Sequence, residues 1–76
     1  MDVERLNVLW SAVLQAPVTG DTHFFVAGGD SLSGALLVAQ ANSEFGASLT
    51  LQELIDHATF DEFSRLLSAA VGAGRQ

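Results

Sequence analysis

Cysteine is missing from this 76-residue sequence. Disulfides and thiolate metal sites are thereby excluded, and any chemistry that needs a thiol must import one. Basic residues are scarce as well. Arg5, Arg65 and Arg75 stand against nine Asp and Glu, for a formal net charge of -6. A phosphate backbone would be repelled, so nucleic acid is no partner, whereas a basic protein surface would be attracted. No apolar run approaches membrane-spanning length, and the N-terminus lacks a basic-then-apolar signal. The expectation is a cytoplasmic domain with no membrane partner. Period-2 strand patterning, internal repeats and low-complexity segments are absent too.

What is present suits one small folded unit. Apolar residues make up 49% of the chain, enough for a core. Leu6, Leu9, Trp10 and Val13 fall at i, i+3, i+4 and i+7 and predict a helix over residues 3–15. Asp2 caps its start, and Pro17, the one proline, marks its end. Residues 17–30 carry Pro17, Gly20, Gly28 and Gly29 and read as a loop. The adjacent Phe24 and Phe25 in that loop predict that at least one of them pins it to the core. Asp30 or Ser31 caps a second helix running to Phe45, with Gly46 as its stop. "TLQE" at 50–53 and "TFDE" at 59–62 are capping boxes. They open a short third helix ending near His57 and a fourth running to about Ala70. The predicted fold is all-α: a four-helix bundle of three longer helices and a short third one, with a long first loop. Residues 1–70 form the domain, and "VGAGRQ" at 71–76 reads as a flexible tail or linker. Met1 directly ahead of the first helix points to a free-standing or trimmed unit.

The second helix has two apolar faces. Gly34, Leu37, Val38, Ala41 and Phe45 form a stripe with core spacing. Leu32, Ala35, Leu36 and Ala39 form another, beginning beside Ser31. Either the long loop covers the second stripe, or Ala35 and Leu36 stay exposed as a docking patch.

Ser31 is the candidate functional residue, and it has three readings. "GDSL" at 29–32 also opens the active site of a family of lipases and esterases. A serine nucleophile needs a base and a group to orient it. His23 and His57 are the only histidines. The hydrolases also place their serine after a buried strand and use a late Asp-x-x-His pair, neither of which occurs here. The second reading is a plain helix cap, which leaves the neighbouring apolar stripe and the double glycine unexplained.

The third reading rests on "FFVAGGDSL" at 24–32. It resembles the signature of thiolation domains, the peptidyl carrier proteins of nonribosomal peptide synthesis: two phenylalanines, two variable residues, then Gly-Gly-(Asp/His)-Ser-Leu. Trp10, Val13 and Leu14 in the first helix, Phe45-Gly46, and "LTLQELIDHATF" at 49–60 extend the similarity over most of the chain. The resemblance implies a non-catalytic carrier with 4′-phosphopantetheine, derived from coenzyme A, on Ser31. Gly28, Gly29, Asp30 and Leu32 frame the attachment, and Leu32, Ala35 and Leu36 form the docking surface. The arm holds aminoacyl or peptidyl groups as thioesters. The implied partners are a phosphopantetheinyl transferase, an adenylation enzyme or domain, and condensation, tailoring or thioesterase enzymes, all meeting a monomer. A phosphodiester on Ser31 would sit at a helix N-terminus, where the dipole favours an anion. The double glycine leaves room for the modifying enzyme and allows backbone angles that other residues resist. No metal site is expected. Ala27, Gly34, Leu36 and Ala58 depart from the family's usual residues. An acyl carrier of fatty-acid or polyketide type shares Asp-Ser-Leu, but the phenylalanine pair and double glycine argue against it. Outside carriers, the alternative is a helical interaction module with no prosthetic group.

Overall fold

The computed structural model describes the backbone of residues 1–74 and the side chains of residues 1–72. Four helices follow one another: α1 (Val3–Leu14), α2 (Ser31–Phe45), α3 (Leu51–Asp56) and α4 (Phe60–Gly74). Each starts where a side chain replaces the missing helical acceptor. Asp2 accepts from the Arg5 N–H at the head of α1. Thr50 and Glu53 close a reciprocal box at α3, and Thr59 and Glu62 close another at α4. The Thr59 hydroxyl and N–H hold the Glu62 carboxyl below its usual range. The helix ends are equally local. Gln15 turns α1 off in the left-handed conformation at φ 55°, and Gly46 does the same for α2 at φ 69°.

One boundary differs from expectation. The fourth helix does not stop near Ala70 but runs through Gly74. Ala69 and Ala70 are strong helix formers, and Ala70 and Val71 pack against the core, so the last turns are held from inside. The backbone of residues 71–74 is therefore helical. Arg75 and Gln76 lie outside the described residues.

The core gathers one face from each element. Leu6 and Trp10 of α1 meet Leu37, Val38 and Ala41 of α2, Leu54 of α3, and Phe60, Phe63 and Leu67 of α4. Trp10 lies at the centre, edge-on to Phe24 at 5.4 Å and to Phe60 at 5.3 Å. Phe24 supplies the loop's share and is fully buried, while Phe25 is half-buried against it. The aromatic pair pins the loop as its sequence predicts.

The loop is also tied by its backbone. His23 and Thr59 form an antiparallel bridge. The Phe24 N–H donates to the Ala58 carbonyl at 2.8 Å, and the Phe60 N–H donates to Thr22 at 2.9 Å. The Asp61 N–H reaches Gly20 at 3.1 Å. The joint between α3 and α4 is thus the anchor for the loop that leads to α2. Asn42 fixes the other connection by exchanging two 2.9 Å bonds with the Leu49 backbone. Among the described residues, no helix is long and apolar enough to cross a membrane.

Candidate functional site

Ser31 occupies the first position of α2. The chain reaches it through two glycines with different duties. Gly28 has φ 113°, a conformation L side chains rarely adopt, and a Cβ there would meet open space. Gly29 is needed for closeness instead: a Cβ would lie inside the contact distance of the Phe24 ring. Room for a partner was the expectation for both glycines. For Gly29 the neighbour that needs the room is inside the protein.

Asp30 is the cap. Its backbone is extended, and its carboxylate accepts from the Ser33 N–H at 2.8 Å. The Ser33 hydroxyl accepts in turn from the Asp30 N–H at 2.9 Å. These bonds hold the Asp30 carboxyl below its ordinary value, the Ser33 backbone bond contributing most and its side chain next. Of the two capping candidates in the sequence, Asp30 takes the role, which frees Ser31. Among the described residues, the Ser31 hydroxyl makes no hydrogen bond, and the residue is exposed.

No base is engaged with Ser31. His23 Nδ1 accepts from the Val26 N–H at 3.4 Å, and its ring lies against Phe25. His57 closes α3 as its C-cap. Neither histidine hydrogen-bonds the serine, so the arrangement for a hydrolase is not assembled. The described residues also hold no cluster of groups suited to a metal ion.

The two faces of α2 separate cleanly. Gly34, Leu37, Val38 and Ala41 are buried, and Phe45 packs against the core half-buried. Leu32 is 82% exposed and Leu36 51%, with Ala35 and Ala39 exposed as well. The loop does not cover the second stripe, because its own aromatics are committed inward. None of residues 31–43 is charged, so this exposed face is apolar and electrically neutral in an acidic chain. Gly34 brings α3 close: a Cβ there would stand 3.0 Å from Leu51 and 3.2 Å from Leu54.

Two site features escape the sequence reading. Val26 is as exposed as Leu32, at 82%, so large apolar side chains flank the motif on both sides. Its signal was a third large apolar residue directly after Phe24 and Phe25. Ser33 completes the capping box, and its signal was its spacing of three from Asp30.

The site fits an anionic substituent. An exposed, unengaged hydroxyl stands at the positive end of a fifteen-residue helix whose cap is already satisfied. Comparison with known proteins identifies the family. A family model described as "Phosphopantetheine attachment site" matches residues 4–67. Nonribosomal peptide synthetase SIDD of Beauveria bassiana is 39% identical over 66 residues, which cover 83% of this chain and 4% of that protein. Surfactin synthase subunit 1 of Bacillus subtilis is 35% identical over 68 residues, covering 88% of this chain and 2% of the synthase. The chain thus spans a small fraction of the curated relatives it matches. Among solved structures, the PaxA T1-CDD/PaxB NDD docking domain complex of the Pax NRPS superposes with a TM-score of 0.82 at 24% identity. That match covers 91% of this chain and 67% of the other. The HMG-ACPI domain from the CurA module of Lyngbya majuscula gives 0.77 at 20% identity, covering 95% and 77%. Both likenesses are of fold. The chain belongs to the phosphopantetheine-attachment family of carrier domains, related to those of nonribosomal peptide and polyketide synthases.

Proposed function

We propose that this member of the carrier family takes 4′-phosphopantetheine on Ser31 and carries aminoacyl or peptidyl groups for nonribosomal peptide assembly. The observation that carries the assignment is the free, exposed hydroxyl of Ser31 at the first position of α2. Coenzyme A is the donor. Ser31 Oγ forms the new bond to phosphorus, the bond to 3′,5′-ADP breaks, and the hydroxyl proton passes to a base of the transferase. Once attached, the arm supplies a thiol, which holds carboxylic acids as thioesters and replaces the cysteine this chain lacks.

The chain's own residues prepare the hydroxyl. Asp30 and Ser33 satisfy the cap between themselves and leave Ser31 without a competing partner. Gly28 and Gly29 deliver the backbone to the helix start. The exposed Leu32, Ala35 and Leu36 form the docking surface for the transferase, the adenylation enzyme or domain, and the condensation, tailoring or thioesterase enzymes that follow. An uncharged apolar patch of this size suits contacts that form and release quickly. Peptidyl rather than polyketide cargo is favoured by the peptide synthetases among the relatives at 35–39% identity.

Intact-protein mass spectrometry tests the proposal. The folded chain is incubated with coenzyme A, magnesium and a broad-specificity phosphopantetheinyl transferase, beside Ser31→Ala. The expected result is one phosphopantetheine gained by the parent and none by the variant. No gain in a folded parent that starts without the arm would remove the carrier assignment and leave a helical interaction module.

A further inference from the structure

The Ser31 hydroxyl has no hydrogen bond of its own, yet a transferase must find it at one fixed place. Something else has to hold it. The backbone on both sides of Ser31 passes over one ring, that of Phe24, which shares the Gly34 side with Leu51 and Leu54. Gly29, two residues before it, lies on the Phe24 ring so closely that no Cβ fits. Gly34, three residues after it, faces the same ring edge, where a Cβ would stand 3.6 Å from Phe24 Cε2. The ring is held edge-on by Trp10, with 5.4 Å between ring centroids. Phe24 also spends both backbone groups on this task. Its N–H is bound to Ala58, and its carbonyl accepts from the Gly29 N–H at 2.9 Å. The phenylalanine therefore joins the α3–α4 joint, the core and the start of α2.

We propose that Phe24 is a positioning residue for the modification of Ser31, and that Gly29 is the contact through which it acts. The ring is a seat. It sets the height of the first turn of α2 over the core, and with it the direction in which the Ser31 hydroxyl leaves the surface. Phe25, beside it, packs half-buried in the same loop, and the side chains that a Cβ at either glycine would meet first are those of Phe24, Leu51 and Leu54 instead. This inference rests on the attachment of phosphopantetheine at Ser31.

A merely structural phenylalanine would act only through the folded fraction. The seat makes a sharper statement: enlarging Gly29 and shrinking Phe24 must compensate each other. Transfer from coenzyme A is followed for the parent, Gly29→Ala, Phe24→Leu, the double variant, and Phe63→Leu. Phe63 is also fully buried against Trp10, but on α4. Rates are referred to the folded fraction, and kcat and KM for the carrier are separated. For Gly29→Ala, kcat falls about tenfold to a hundredfold because the nucleophile is displaced, while KM changes little. Phe24→Leu costs less. The double variant recovers toward Phe24→Leu alone, and Phe63→Leu keeps the parental kcat.

Three results would overturn the inference: parental kcat in Gly29→Ala, losses that multiply in the double variant, or a kcat loss in Phe63→Leu equal to that in Phe24→Leu. If Gly29→Ala fails to fold, the Phe24→Leu and Phe63→Leu pair still decides. Ser31→Ala runs in parallel. A gain of the arm by that variant removes the attachment site itself, whereas failure of the compensation removes only the seat.

Discussion

The inner and outer faces of α2 are similarly apolar and differently used. Leu37 and Leu36 are neighbours in sequence; one is fully buried and the other about half exposed. The inner stripe meets α1, α3 and the loop, and its burial contributes to stability. The outer stripe is left largely exposed by this chain, so its leucines answer far less to folding. An apolar side chain left outside the core is available to a partner, the role proposed above for Leu32, Ala35 and Leu36. The lesson is that hydrophobic patterning finds apolar faces, whereas assigning each one to a core or a partner requires knowing what the rest of the chain has left to cover it.

The comparison can be broken most directly at Leu37. Leu37→Ala should cost about 2–5 kcal/mol, read as a lower denaturation midpoint. A loss near that size from Leu36→Ala would erase the distinction. On the outer face, Leu36→Asp should leave stability within about 0.5 kcal/mol of the parent. Its KM with a loading enzyme should rise about tenfold, as for a residue at the centre of a contact. Unchanged loading would remove Leu36 from the docking surface. The helix start, where the two faces meet, gives a subtler effect. Because Ser33 holds the Asp30 carboxyl below 3.8, the cap's contribution is present above that pH and fades as the pH falls through the lowered value. Asp30→Asn should therefore flatten the acid side of a stability–pH profile while changing neutral stability little, since asparagine also caps. Gly34→Ala should have the smallest effect. Its gain in helix propensity, about 0.5–1 kcal/mol, is offset by the tight approach to Leu51 and Leu54, leaving a net change within about 0.5 kcal/mol. A larger loss in urea unfolding would show that the seam between α2 and α3 cannot yield.

Most helix boundaries were legible because the residues that set them lie within four positions of one another. Asp2, Thr50, Thr59 and Gly46 all act where their sequence places them. The end of α4 was misplaced because nothing local stops it, and Val71 is held by contacts from elsewhere in the chain. Ser31 and its motif were legible too, through resemblance. The physical reason for Gly29 was not, since it depends on a ring five residues away that Trp10, from α1, holds in place. The bridge between His23 and Thr59 was equally invisible, being a single long-range pairing with no strand pattern to announce it.

The position of Trp10 has an optical consequence. It is the only tryptophan, and the chain has no tyrosine, so near-ultraviolet emission comes from one indole. That indole is fully buried, and among the described residues its Nε1 has no hydrogen-bond partner. Its emission should be blue in the native state and move to the red on unfolding. Because the indole touches Phe24 on the loop and Phe60 and Phe63 on α4, it reports on both halves of the core. A shift of the loop beneath Ser31 would register in its spectrum without any added label.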